Sequence, residues 1–253
     1  MANNWTRTEL IIAFNLYCKI PFNKTVKTNP AVIKVAELIG RTPSSVAFKL
    51  GNFGSFDPEL KKRGIVGLKN AGKLDKEIWD EFNADWEKLA YESELLNSKA
   101  FNQPIEEIMQ SETFEIPVGR EKERLVRIRV NQNFFRASIL SLYNQKCCIT
   151  GLNIPDLLIA SHIVPWSKDE KNRLNPQNGL CLNAMHDRAF DKGFITVTTD
   201  YKVKISNYFT DYEKDETVTQ LFSKYDNQKI ILPDKFLPDK EFLSYHNEKI
   251  FRK

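Results

Sequence analysis

Over the first hundred residues, apolar positions recur with the spacing of helices. Leu10, Phe14 and Tyr17 share one helix face, and Thr6 with Glu9 three positions later forms a capping box ahead of them. Asn29-Pro30 opens a second helix, with asparagine as N-cap and proline at the first helical position, and that helix stops near Gly40. Thr42-Pro43 repeats the signal for a third helix, with Gly51 as its terminator. Residues 52–73 read as an irregular segment with short strands. Residues 75–97, rich in Glu, Leu and Trp, read as one long helix.

The texture then changes. Residues 98–119, with Asn102-Gln103-Pro104, several acids and Pro117-Val118-Gly119, read as a linker. Arg127 and Arg129 alternate with Val126, Ile128 and Val130, the pattern of a strand with one basic face, and an apolar helix follows from Ala137 to Tyr143. Leu157 to Ser161 reads as a strand that ends on His162. A polar loop, Ser167–Gln177, leads to a second short strand, Gly179–Asn183, and a helix, Ala184–Asp191, that stops at Gly193. Residues 216–225 and 239–252 are expected to be helical. The fold class predicted is α+β: a helical domain over 1–97, a linker over 98–119, and a second domain over 120–253 with its core at 147–206.

Two short helices around Ile39-Gly40-Arg41-Thr42 have the arrangement of a helix-turn-helix. Ile33, Val35, Ala36, Leu38 and Ile39 supply a packing face on the first helix, and Val46, Phe48 and Leu50 one on the second. Ser44, Ser45, Lys49 and Asn52, with Arg41 at the helix entrance, remain for the other side and suit phosphates and base edges in a major groove. Charge strengthens this reading. Residues 1–73 carry twelve Lys or Arg against four acids, whereas residues 74–97 carry two against eight. A basic block beside an acidic helix points to a polyanionic partner for the block. With 253 residues, 42% hydrophobic and 28% charged, the composition is that of an ordinary globular chain. No apolar run reaches the ~18 residues of a membrane span, and the start lacks the layout of a signal peptide. Cys18, Cys147, Cys148 and Cys181 show no disulfide spacing, so burial in a protein of the reducing cytoplasm is expected.

The chemistry rests on histidine. There are only three, and His162 and His186 fall within 25 residues of each other, flanking Asn178. A strand, a loop, a strand and a helix would bring these three side chains together. Hydrolysis of a phosphodiester needs an activated water and neutralised charge on the phosphate and leaving oxygen. A neutral histidine can take the water proton near pH 7 once a carboxamide or carbonyl fixes its ring. On that logic His162 is the base, Asn178 the orienting residue and His186 a metal ligand. His246 is expected to be a packing or surface histidine.

Residues 125–197 resemble the HNH endonuclease family, whose fold is the ββα-metal nuclease. The resemblance lies in Cys148-Ile-Thr-Gly, Ala160-Ser-His-Ile-Val-Pro-Trp, Asn178-Gly-Leu-Cys-Leu and His186-Asp-Arg-Ala-Phe-Asp-Lys-Gly. The tail from Leu237 to Phe251 also resembles the ending of bacterial proteins of this kind. The resemblance implies a restriction-type endonuclease for double-stranded DNA, dependent on Mg²⁺, Mn²⁺ or another divalent cation. It implies catalytic roles for His162 and Asn178 and a metal role for His186. Ser161 departs from the aspartate or histidine that many such enzymes carry before the base; Ser161 itself and Asp191 are the candidate oxygen ligands, with Asp187 the weaker on helical geometry. Arg127, Arg129, Lys168, Lys171 and Arg173 are candidates for the DNA backbone. No C-x-x-C pair is present, so no structural zinc is expected. A homodimer would allow both strands to be cut. Two rival readings are a DNA-binding regulator with a degenerate HNH domain and a modification-dependent defence nuclease.

Overall fold

In the computed structural model, residues 4–66, 72–101, 120–212 and 214–253 are described, and the chain forms two compact units, 1–138 and 139–253. The division falls inside a long helix rather than at residue 119. Most of the expected linker, 102–119, lies outside the described residues.

The first unit is helical: α1 (Arg7–Lys19), α2 (Pro30–Leu38), α3 (Pro43–Gly54), α4 (Pro58–Lys62), α5 (Lys73–Ala84), α6 (Trp86–Phe101) and α7 (Arg120–Leu142), whose last turn belongs to the second unit. The capping box of α1 forms as expected. Yet α1 is buried on all sides from Leu10 to Cys18, so it is the central helix of the unit rather than one with a single apolar face. Its one polar interior residue, Asn15, donates from Nδ2 to Ser93 Oγ of α6 at 2.6 Å, which satisfies a group that would otherwise be costly to bury. Phe14 sits in an aromatic cluster, 4.8 Å from the Phe53 ring, 5.6 Å from Trp79 and 6.2 Å from Trp86.

Three expectations for this unit need correction. The segment 52–73 has no strand among its described residues; it contains α4, set by Asp57-Pro58, a third cap-plus-proline signal in which Asp57 Oδ1 accepts from the backbone of Glu59 and Leu60. The long helix over 75–97 is two helices. Asp85 breaks it, with φ −149° and ψ 84°, and caps α6 by accepting from Lys88 N at 2.9 Å. The strand expected at 126–130 is part of α7. Val130, Phe134, Phe135, Ile139 and Leu142 are buried at helical spacing, and that longer pattern overrides a local alternation of only five residues.

The second unit begins with the end of α7. Strand β1 (Leu158–His162) pairs antiparallel with β2 (Gly179–Asn183), with His162 opposite Gly179 and Ser161 opposite Leu180. Helix α8 (Ala184–Asp191) follows at once, capped by Asn183 Oδ1, which accepts from His186 N at 2.9 Å. A second hairpin, β3 (Ile195–Val197) and β4 (Val203–Ile205), leads to α9 (Glu216–Leu221) and α10 (Lys240–Lys249). β1, β2, α8, α9 and α10 lie within a few residues of their expected spans, whereas β3 and β4 have no counterpart in the sequence reading. The four cysteines are buried and none is in a disulfide.

The C-terminal helix is locked onto α8 and β3 through His246, which is 1% exposed. Its Nε2–H donates to the Phe190 carbonyl at 3.1 Å, so Nδ1 accepts from the Thr196 hydroxyl at 2.7 Å, and its ring stacks on Phe190 at 3.7 Å. Gly193 (φ +72°) passes directly under the Ile250 carbonyl, where a side chain would collide, and its own carbonyl accepts from Arg252 N at 2.9 Å. Burial lowers the His246 pKa from 6.5 to about 4. The folded form therefore resists protonation that the unfolded chain accepts. The stability at stake, ~3 kcal/mol, is fully present above pH 6.5 and is lost as the pH falls from 6.5 toward 4. The unfolding midpoint is expected to drop across that window, with a shallower drop in His246→Gln; an unchanged slope in the variant would refute this assignment.

Candidate functional site

The residues named from the sequence for DNA contact in the first unit divide sharply. The α2–α3 turn has the expected geometry, with Gly40 at φ +66° and Arg41 N bonded to the Ala36 carbonyl at 2.8 Å. Arg41, however, is turned inward. Its guanidinium bonds both Glu9 oxygens at 2.8 and 3.0 Å and the Asn4 carbonyl at 2.8 Å, and lies over the Trp5 ring. Lys49 donates to both oxygens of the buried Asp75 carboxylate, at 2.7 and 2.9 Å. Asn52 is 2% exposed and donates to the same carboxylate at 2.8 Å. Lys49 and Asn52 thus compensate a buried charge and tie α3 to α5. The face had been assigned on Val46, Phe48 and Leu50, a spacing of two that suits a strand. On a helix, Phe48 lies about 200° from Val46, and it is 58% exposed. Phe48 is the exposed residue of α3, and Ser44, Ser45, Ala47 and Gly51 are half-buried.

In α7, Arg127 stacks over the Tyr91 ring at 4.3 Å and lines a hollow of about 540 Å³ together with Asp85, Glu87, Lys88, Glu92 and Leu95. Three acids in that wall oppose a phosphate, so Arg127 is not placed as a backbone contact. Arg129 is half-buried on the same helix.

In the second unit, β1 delivers His162 to the mouth of the loop 163–178. Its Nε2 lies 2.8 Å from the Arg173 carbonyl. A carbonyl only accepts, so Nε2 carries the proton and Nδ1 holds the lone pair that can take another. Burial lowers the pKa of this ring, which keeps it neutral at physiological pH. The indole of Trp166 meets the ring edge-on at 5.5 Å.

Asn178 is fully buried and touches neither histidine. Its Oδ1 accepts from Val164 N at 2.8 Å, and its Nδ2 donates to the carbonyls of Val164 and Asn172, each at 3.2 Å. It closes the base of the loop that presents the Arg173 carbonyl, and so acts on His162 through the backbone. Among the described residues, all hydrogen bonds of the Asn178 carboxamide are thus to the loop backbone.

His186 also departs from its expected role. It is 2% exposed, between the rings of Phe222 and Tyr225. Its Nε2–H donates to the Leu221 carbonyl at 2.6 Å and its Nδ1 accepts from Asn183 Nδ2 at 3.0 Å. Neither nitrogen keeps a lone pair for a cation. Beside it, burial pushes the Cys147 thiol up, but hydrogen bonding to His186 and Thr150 outweighs this and brings it down to about 7.

The oxygen donors lie on the other side of α8. Ser161 Oγ is buried and, among the described residues, makes no hydrogen bond of full geometry, though its hydroxyl lies near enough to the Asp187 carboxyl to act on it. The Asp187 carboxyl is raised by burial and by the charge of Asp191, against a lowering interaction with the Ser161 hydroxyl. Asp191, four residues on and more open to solvent, is raised by burial as well. Asp187 is the weaker candidate when placed relative to His186, but His186 points into the core and its neighbour therefore points toward β1. Among the described residues no three His, Cys, Asp or Glu side chains converge as a metal cage. Two carboxylates and a hydroxyl nonetheless suit a hard divalent cation, which takes oxygen ligands and commonly uses one or two carboxylates completed by substrate phosphate. Lys168 and Lys171 are exposed on the loop after His162, whereas the Arg173 guanidinium folds back onto Trp166 and Glu170.

Among the described residues, no helix is long and apolar enough to cross a membrane. Among curated proteins none matches the chain significantly. A family model described as HNH endonuclease matches residues 147–198, about a fifth of the chain, and spans β1, the loop, β2, α8 and β3. Residues 147–198 of the second unit are thereby identified as an HNH endonuclease domain.

Proposed function

We propose that the chain is a divalent-metal-dependent endonuclease of restriction type, which cuts double-stranded DNA with its second unit and recognises it with its first. The observation that carries the reading is the His162 ring, half-buried, neutral and held by a carbonyl on Nε2 so that Nδ1 is its basic atom. Water activated by Nδ1 attacks phosphorus, a new P–O bond forms, and the bond to the 3′ oxygen breaks, leaving a 5′-phosphate. The proton of the water passes to Nδ1. Ser161, Asp187 and Asp191 would hold the cation, which when bound neutralises charge on the phosphate and the leaving oxygen. Lys168 and Lys171 stand next to the base and serve the DNA backbone.

In the first unit, α3 is the recognition element, through the uncharged stripe of Ser44, Ala47 and Gly51 around the exposed Phe48 rather than through Lys49 and Asn52. A small, apolar helix face can lie close to base edges and thymine methyl groups, and the basic surplus of residues 1–73 supplies the attraction to phosphate. A homodimer would present two such sites for the two strands.

The test is incubation of the purified chain with methylated and unmethylated plasmid, with and without Mg²⁺, followed by sequencing of the ends. Discrete ends that require the cation are expected. Random nicking would refute sequence recognition, cutting confined to methylated plasmid would favour a modification-dependent enzyme, and intact plasmid under every divalent cation would favour a DNA-binding regulator.

A further inference from the structure

The loop 163–178 closes a circuit around His162. His162 Nε2–H donates to the Arg173 carbonyl at 2.8 Å. The side chain of the same arginine returns to the loop: its Nε donates to the Trp166 carbonyl at 2.8 Å and its guanidinium lies over the Trp166 ring, 5.2 Å from the centroid. The Trp166 ring in turn stands edge-on to His162, at 5.5 Å and 88°. Glu170 completes the set by accepting from Arg173 Nη2 at 3.0 Å. Asn178 staples this sixteen-residue loop at its base and Asp169 ties to Asn172 within it, but neither bonds the Arg173 side chain or the Trp166 carbonyl. The Trp166–Arg173 pair is a further staple, placed where the Arg173 carbonyl meets the imidazole.

We propose that Trp166 and Arg173 are positioning residues that lock His162 into one tautomer and one orientation, and that the Arg173 guanidinium serves this lock rather than the DNA backbone. The inference rests on His162 as the base of the proposed nuclease. The geometry needs both chemical features of arginine. A planar cation stacks on the indole while its Nε–H reaches the carbonyl in the ring plane. A lysine at 173 supplies the charge and neither of those.

The experiment compares Trp166→Ala, Trp166→Phe, Arg173→Ala and Arg173→Lys by single-turnover plasmid cleavage and by ¹⁵N shifts of the His162 ring. The lock predicts that Trp166→Ala and Arg173→Ala each lower kcat by roughly 10- to 100-fold, the scale of a small misplacement of a reacting group, with KM for DNA little changed. Their combination is expected to cost no more than either alone, because they break one circuit. Trp166→Phe retains most of the activity, whereas Arg173→Lys does not. The ¹⁵N shifts report a single Nε2–H tautomer in the parent and a mixture in the two alanine variants. The opposite pattern overturns the inference. In that pattern Arg173→Ala raises KM and reduces the salt slope of binding by about one with kcat intact, and Arg173→Lys restores binding, as for a phosphate contact. Unchanged ring shifts in both alanine variants overturn it equally. A parent protein that fails to cut DNA yet shows the fixed tautomer, lost in the variants, would sustain the lock and refute the nuclease reading.

Discussion

Replacing His162 with alanine is expected to lower the rate of DNA cleavage by roughly 10²–10⁴-fold, the range a general base contributes. The ring is half-exposed at the end of β1, and its bond to the Arg173 backbone carbonyl is one that water can satisfy on the carbonyl side in its absence. Folding should therefore survive, and thermal unfolding measured beside activity separates the two effects. His162→Asn keeps a donor for the Arg173 carbonyl but supplies no base, so it should fold like the parent and cut no faster than the alanine variant. Parent-like cleavage by either would remove His162 from the chemistry.

The second large effect distinguishes two neighbours on α8. Asp187→Asn removes a carboxylate that faces Ser161 and shares its surroundings with Asp191. Divalent cations at such sites supply several kcal/mol of charge stabilisation, so a loss of about 10²–10³-fold is expected. The Mg²⁺ concentration needed for half-maximal activity should rise, with little change in unfolding temperature. His186→Ala should do the reverse. It leaves the Leu221 carbonyl and the Asn183 amide without their buried partner, at about 1–3 kcal/mol for each group, while the Mg²⁺ dependence of the folded fraction stays as in the parent. A stable His186→Ala protein with weakened Mg²⁺ dependence would return His186 to the role that the family resemblance implied.

The contrast between those neighbours shows how far the sequence could be read. The β1–β2–α8 segment was legible because its punctuation is local: Pro165 and Gly179 bound the loop, and Asn183 caps the helix. What each site side chain bonds was not. Asn178 and His186 were placed by spacing, but their partners are Val164, Asn172 and Leu221, and Leu221 lies 35 residues away. Nothing near Lys49 announces that Asp75 will draw it inward. The face of α3 was misassigned for a simpler reason, since two of three apolar positions lay on one side and the third, Phe48, was counted with them. In α7 a short alternation mimicked a strand inside a helix of 23 residues. Long-range polar pairing, rather than hydrophobic pattern, is where the reading ran out.

In the proposed reaction His162 activates water and does not protonate the leaving oxygen. That role is tested most directly by cleavage of a DNA substrate with a bridging 3′-sulfur, whose leaving group needs no proton. His162→Ala is expected to remain as defective on that substrate, relative to the parent, as on ordinary DNA. Recovery of near-parent rates by the variant on the sulfur substrate would contradict the claim and place the ring on the leaving group instead.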